Sequence, residues 1–147
     1  MKKFIKYTAI IIGVALVSVL TREITGMLFD KSSEKDINTV LAETVPKIND
    51  QLPRMLQENM RLDSVSAANQ EMHYYYTAVN LDLSEIDPNS PMLEKFKNNT
   101  GPILTENYCN NKKMEVLVKN DIKANYHYYD NNQSLFAEFQ TLPKQCK

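Results

Sequence analysis

The N-terminal segment from Lys2 to Leu20, KKFIKYTAIIIGVALVSVL, constrains this chain most, because it decides in which compartment every later residue must fold. Lysines precede an apolar run from Tyr7 to Leu20, an arrangement typical of both signal peptides and signal anchors. No cleavage triplet of the A-x-A type follows the run. We therefore predict an uncleaved anchor. The alternatives are a cleaved signal that releases the protein into the periplasm, and a buried helix of a soluble protein.

The length of the apolar run sets the extent of the predicted anchor. The run has about 14 residues, whereas about 20 are needed to cross a hydrocarbon core about 30 Å thick. The predicted transmembrane helix therefore recruits its flanks, spans 1–29 and contacts the inner membrane through residues 4–29. The positive-inside rule places its N-terminus in the cytoplasm. This predicts a single-pass inner-membrane protein of a bacterium, with a tether at 30–36 and a periplasmic domain at 37–147.

The charge of the exported part excludes two classes of partner. From Asp30 onward, 13 Lys and Arg residues stand against 17 Asp and Glu residues, a net charge of −4, and the two signs are interspersed. Binding to nucleic acid requires a basic face, so no nucleic-acid partner is expected. Docking on anionic lipid is excluded for the same reason. About 118 residues suffice for one ordinary domain with a single core.

Cys109 and Cys146 are the only cysteines, and both lie in the exported part. An oxidising compartment favours a disulfide between them. The bridge would close a loop of about 37 residues and stabilise the domain by ~3–4 kcal/mol. The alternative, a redox-active or metal-binding pair, would require a C-x-x-C spacing or nearby histidines, which the sequence lacks.

Hydrophobic periodicity divides the exported part into helices and strands. Apolar residues at intervals of three and four predict helices at 36–52 with a kink near Pro46, from Pro91 to about 98, at 103–109 and briefly at 114–118. Alternating segments predict two hairpins, 61–67 with 71–81 and 122–130 with 135–142. We therefore expect an α+β fold, in which an antiparallel sheet of about four strands carries helices on one face.

Two tyrosine-rich strands contain the candidate binding residues. Alternation places Tyr74 and Tyr76 on the same side as Met72 and Ala78, and Tyr126 and Tyr128 on the same side as Ile122 and Ala124, so these tyrosines are predicted to face the core. The opposite parity leaves an outward set that is the candidate partner-binding face: His73, Tyr75, His127 and Tyr129. The alternative is purely structural, with the outward tyrosines forming cross-strand aromatic pairs on an open sheet.

The sequence contains no linear motif for catalysis or for a cofactor. G-x-S-x-G, H-E-x-x-H, P-loop and G-x-G-x-x-G patterns do not occur. His73 and His127 are the only histidines, and two imidazoles without a third ligand do not predict a metal site. A proton-sensing role for them remains open, since histidine titrates near neutral pH. We therefore predict no catalytic residues, no metal and no cofactor.

Four short motifs suggest a family: RLDSV at 61–65, YYYT at 74–77, YCNN at 108–111 and YHYYD at 126–130, followed by a final cysteine. This pattern resembles small bacterial envelope proteins of unassigned function. The resemblance implies a single-anchor periplasmic domain with one disulfide, and it implies no activity.

Together these observations predict a non-enzymatic protein–protein interaction module that binds another envelope protein, as an accessory, sensory-partner or immunity-type subunit. The alternative is an envelope enzyme, or a glycan- or lipid-binding domain, whose site is built from Tyr, His and carboxylate side chains. A deep polar cleft around His73 and His127 would favour the alternative, and a flat, open sheet face would favour the interaction module.

Overall fold

The computed structural model describes residues 36–147; the predicted anchor at 1–29 and the tether up to residue 35 lie outside this part of the chain. The described helices and strands are, in order, α1 (Ile37–Asn49), β1 (Arg54–Gln57), β2 (Met60–Ala68), β3 (Glu71–Ala78), α2 (Pro91–Asn110), α3 (Glu115–Lys119), β4 (Lys123–Tyr129) and β5 (Leu135–Thr141). Short 3-10 turns occur at Leu83–Glu85 and Pro143–Gln145. Within residues 36–147, no helix is both long enough and apolar enough to cross a membrane.

The strands form one five-stranded mixed sheet in the order β1-β2-β3-β4-β5. The α+β class and both predicted hairpins, β2 with β3 and β4 with β5, are confirmed. The prediction of an antiparallel sheet of about four strands was wrong, because β3 and β4 pair in parallel. Two parallel neighbours require a crossover connection, and the segment with α2 and α3 provides it. The short β1 was missed, since its four residues do not alternate between apolar and polar.

Polar residues fix the two hairpin turns and thereby the register of the sheet. In the β2–β3 turn, Asn69 and Gln70 have φ angles of 53° and 61°, the left-handed conformation that two-residue hairpin turns require. In the β4–β5 turn, the buried carboxylate of Asp130 accepts hydrogen bonds from the backbone N–H groups of Asn132 and Ser134 at 2.9 and 2.7 Å. The same carboxylate accepts one from Leu83 at 3.0 Å, which joins the hairpin to the crossover.

Helix α2 runs without a break from Pro91 to Asn110, although a stop near 98–102 was predicted. Its start is as expected, with Pro91 at the first position and the Ser90 hydroxyl accepting a hydrogen bond from the Leu93 N–H at 3.3 Å. A single buried stripe continues past Pro102 and holds both halves against the core: Leu93, Phe96, Thr100, Leu104 and Tyr108. Tertiary packing therefore outweighs the local helix-breaking tendency. Helix α1 also contains its proline, Pro46, and ends at Asn49, before the predicted residue 52.

The core lies between one face of the sheet, the inward face, and the helices. The tyrosines predicted to face inward are confirmed there, each at most 2% exposed: Tyr74, Tyr76, Tyr126 and Tyr128. Their rings stack across the parallel pair, with centroids 5.3 Å apart for Tyr74 and Tyr126 and 4.9 Å apart for Tyr76 and Tyr128. Phe96 of α2 meets Tyr128 edge-on at 5.3 Å, so α2 covers this face.

The predicted disulfide between Cys109 and Cys146 is confirmed, with Cα atoms 5.1 Å apart. It joins the last turn of α2 to the segment that follows β5. The C-terminal segment is thereby held beside the helix, which gives this end of the domain a fixed shape.

Candidate functional site

The four predicted site residues lie on the sheet face opposite to the core, which we call the outward face. In the parallel register of β3 and β4, Tyr75 lies directly opposite His127, and Thr77 lies opposite Tyr129. His73, Tyr75, His127 and Tyr129 are all half-buried. The structure brings the rings of His73, Tyr75 and His127 into contact. Tyr129 shares their face, two residues further along β4, and lies beyond this stack.

The three rings of the stack are nearly parallel to one another. The centroids of Tyr75 and His127 are 4.9 Å apart with an interplanar angle of 13°, and those of His73 and His127 are 5.3 Å apart with an angle of 15°. Side chains stand roughly perpendicular to a sheet, so the ring faces turn towards each other across the strands. An approaching partner would therefore meet ring edges, which bear the nitrogen and hydroxyl groups, rather than an open aromatic platform.

A chain of polar contacts runs through the stack from one carboxylate to another. His73 Nδ1 lies 3.0 Å from His127 Nε2, and His127 Nδ1 lies 2.8 Å from Glu138 Oε1 on β5. At the other end, His73 Nε2 lies 3.6 Å from Glu71 Oε2. Because a carboxylate only accepts, His127 Nδ1 carries a hydrogen, and His127 Nε2 then accepts the hydrogen on His73 Nδ1. This leaves His73 Nε2 as the one atom of the pair that can take up a further proton.

The surroundings favour the neutral form of His73. Burial lowers the pKa of His73 below its ordinary value, and the positive charge of a protonated His127 lowers it further, while Glu71 opposes both effects. Glu71 is itself held in the charged form, because the hydrogen bond from Lys123, with Nζ 3.0 Å from Oε1, lowers the pKa of this carboxyl. The outward face thus carries a hydrogen-bonded histidine pair beside the ion pair of Glu71 and Lys123.

Amide and hydroxyl groups complete the outward face around the stack. Asn125 donates from Nδ2 to Glu71 Oε2 at 3.1 Å and accepts from Gln140 Nε2 at 2.8 Å. The hydroxyl groups of Ser66 and Tyr75 are 3.4 Å apart. These contacts cross β2, β3, β4 and β5, so the polar groups are pre-positioned over four strands.

Sequence reasoning did not assign a role to Glu71, Asn125, Glu138 or Gln140. A signal existed for Glu71 and Asn125, which share the outward parity of His73 and His127. The contact of Glu138 depends on the register of β4 with β5, which the sequence did not specify. Among residues 36–147, no group of three or more His, Cys, Asp or Glu side chains has an arrangement suited to a metal ion.

Comparisons with known proteins give a family and a fold. The model of a family described as a domain of unknown function (DUF8479) matches residues 36–136. A search of curated proteins gives no significant match.

Two solved structures share the fold. A Pseudomonas aeruginosa protein, provisionally described as secreted, has a TM-score of 0.59 and 13% identity and covers 80% of this chain and 100% of its own. The pilotin EpsS of the Vibrio vulnificus type 2 secretion system has a TM-score of 0.54 and 8% identity, with 74% of this chain and 90% of its own covered. At these identities the likeness concerns the fold alone.

Proposed function

This chain belongs to the family described as a domain of unknown function, DUF8479, and we propose that it is a non-enzymatic interaction module of the bacterial envelope. Its partner would be another envelope protein, bound through the outward face of the sheet. The observation that carries the proposal is the ordered stack of His73, Tyr75 and His127 on that face, held by hydrogen bonds from β3 to β5. Aromatic side chains already fixed in place supply contact area without a further loss of conformational entropy.

The state of the histidines supports binding rather than chemistry. A general base needs a free lone pair directed at its substrate. His127 uses both ring nitrogens on His73 and Glu138, and the remaining nitrogen of His73 points towards Glu71. Little proton-transfer capacity is then left for a substrate. The stacked arrangement also argues against the glycan-binding alternative, because the ring faces on which a sugar would lie are turned towards each other.

The proposed location follows from the leader and agrees with the two structural neighbours. We propose that residues 1–29 anchor the chain in the inner membrane and that the domain works in the periplasm, with cleavage and release as the alternative. The neighbours are described as a secreted protein and as a pilotin of a secretion system, which fits an exported domain. A tether of about seven residues would keep the domain within about 25 Å of the membrane, so the partner must lie close to it.

Site-specific photo-crosslinking tests the proposed face. A benzophenone derivative of phenylalanine would replace Tyr129 or Tyr75 in the full-length protein, expressed in its native host. The control would place the same group at Lys97, an exposed position on α2. We expect a discrete crosslinked product from Tyr129 and Tyr75 and none from Lys97. Equal crosslinking from all three positions, or product from Lys97 alone, would show that the binding face lies elsewhere.

A further inference from the structure

Among residues 36–147, the outer edge of β5 has no neighbouring strand. The sheet ends at β5, which pairs only with β4 within the described residues. An edge strand offers backbone N–H and C=O groups to another strand, and the seven residues of β5 extend over about 23 Å. The opposite edge differs, because β1 has only four residues and the side chain of Asn49 hydrogen-bonds both backbone groups of Val65 on β2 at 2.9 Å.

An open groove of about 720 Å³ lies beside this free edge. One side is formed by α2 and the other by the end of β5, and the segment held by the Cys109–Cys146 disulfide lies at one end. Phe139 contributes an aromatic surface that lies close to Gly101 of α2: a Cβ at position 101 would stand 3.6 Å from Phe139 Cδ1.

The pairing of β5 fixes where the side chains of an added strand would go. Ala137 and Phe139 pair with inward residues of β4, whereas Glu138 pairs with His127 on the outward face. Successive residues of a strand alternate between faces. The residue opposite Glu138 would therefore lie on the outward face, and its two neighbours would point to the groove side.

The charge of Glu138 selects among possible occupants of this edge. Residue 138 is the centre of β5, so an antiparallel full-length pairing with a second copy would place Glu138 opposite Glu138. Like charges directly opposite each other destabilise a strand pair, and charged residues on edge strands prevent self-association. The Glu138 side chain is 56% exposed, so it can still contact a basic residue of a different strand.

We propose that the outer edge of β5 and the adjacent groove bind an extended segment of a partner protein by strand addition. The segment carries Lys or Arg opposite Glu138, and an apolar residue opposite Phe139 that enters the groove. Main-chain hydrogen bonds supply the affinity in this mode, and the alternating side chains supply the specificity. This surface adjoins the His73–Tyr75–His127 stack, because Glu138 also contacts His127 Nδ1 at 2.8 Å, but the proposal does not require that the stack itself bind a protein.

Hydrogen exchange measured by mass spectrometry on the full-length protein in detergent tests the proposal. The probe is a blocked nonapeptide in which Thr and Val alternate around a central Lys, used at about 1 mM. With a dissociation constant of about 0.3 mM, we expect exchange over 135–141 to slow about fourfold. The control peptide has the same sequence with alternate amides N-methylated, which removes its donors, and it should leave the exchange unchanged.

Three variants of the chain sharpen the test. Gly101→Leu places a branched side chain in the groove beside Phe139 and should reduce the protection, while Gly101→Ala adds only a Cβ in ordinary contact with Phe139 and should retain it. Both residues favour a helix interior more than glycine does, so lost protection would not reflect a weakened helix. Glu138→Lys should lose the response to the Lys peptide and gain a response to the matching Glu peptide.

Several outcomes would overturn the proposal. These are an absence of protection with either charged peptide, protection that survives N-methylation, and protection that Gly101→Leu leaves intact. Protection of 135–141 that rises with protein concentration in the absence of peptide would assign the edge to a second copy of this chain instead.

Discussion

Replacing either of two core tyrosines, Tyr76 or Tyr128, by phenylalanine should make this domain more stable. The hydroxyl groups of Tyr76 and Tyr128 are buried and have no hydrogen-bond partner among the described residues. The hydroxyl of Tyr108 is also in the core, but it donates to the backbone carbonyl of Ile122 at 2.5 Å. The three positions therefore offer a matched comparison, in which the same substitution removes either an unpaired or a paired hydroxyl.

The magnitude follows from the environment of each hydroxyl. A buried polar group without a partner lowers the free energy of unfolding by about 1–3 kcal/mol. Phenylalanine lacks the hydroxyl but keeps the stacking of the rings at positions 76 and 128, whose centroids are 4.9 Å apart. Tyr76→Phe and Tyr128→Phe should each raise the free energy of unfolding by about 1–2 kcal/mol. Tyr108→Phe should lower it by about 1 kcal/mol, the usual net contribution of a hydrogen bond. Burial raises the pKa of Tyr108 to about 12, so its hydroxyl is protonated at neutral pH.

Urea unfolding followed by circular dichroism measures these differences. With an m value of about 1–2 kcal/mol/M, the midpoint should shift upward by about 1 M for Tyr76→Phe and downward by a similar amount for Tyr108→Phe, at unchanged m. A Tyr76→Phe variant that is destabilised as much as Tyr108→Phe would refute the reasoning, since the hydroxyl of Tyr76 would then have a partner in solution. Tyr126 is left out of the comparison because Thr141 lies beside its hydroxyl.

Three further predictions concern the disulfide, the histidine pair and the leader. Cys146→Ser should lower the free energy of unfolding by about 2–5 kcal/mol, and both wild-type thiols should resist alkylation until a reductant is added. Because folding lowers the pKa of His73, the unfolded chain binds more protons than the folded protein as the pH falls. The contribution of His73 to the free energy of unfolding should therefore be complete above about pH 6.5 and decrease below it. Urea midpoints measured at several pH values should show this decrease in the wild type and not in His73→Gln. The protein isolated from membranes should retain its N-terminal segment by mass spectrometry, and an N-terminus between Val19 and Lys31 would contradict the anchor.

The sequence predicted the parts of this fold that depend on local pattern. Alternation along Met72 to Ala78 and Ile122 to Tyr128 was enough to assign the inward tyrosines, because burial of one face fixes the parity of a strand. The direction of β4 relative to β3 was not accessible, since it depends on where the crossover returns to the sheet. The predicted helix stop near 98–102 was wrong, because a buried stripe on α2 continues across these residues.

The site was predictable as a face but not as a set of contacts. Parity alone grouped His73 with Tyr75, and His127 with Tyr129. The contact between His73 Nδ1 and His127 Nε2 requires the parallel register, and the contact with Glu138 requires the β4–β5 register as well. Neither register is determined by one strand's own pattern, so the polar chain through the stack could only be found in three dimensions.

The parallel pairing of β3 with β4 also determines when the stack on the outward face forms during folding. Each hairpin pairs residues close in sequence, whereas the contact between Glu71 and Lys123 joins positions 52 residues apart. Closing such a long loop delays non-local pairing, so the two hairpins should form before they join. The disulfide does not shorten this loop, because it joins Cys109 to Cys146 and does not constrain the segment between β3 and α2. The His73–His127 contact is thus a late event, and a newly made chain cannot present the stack before β3 and β4 have paired.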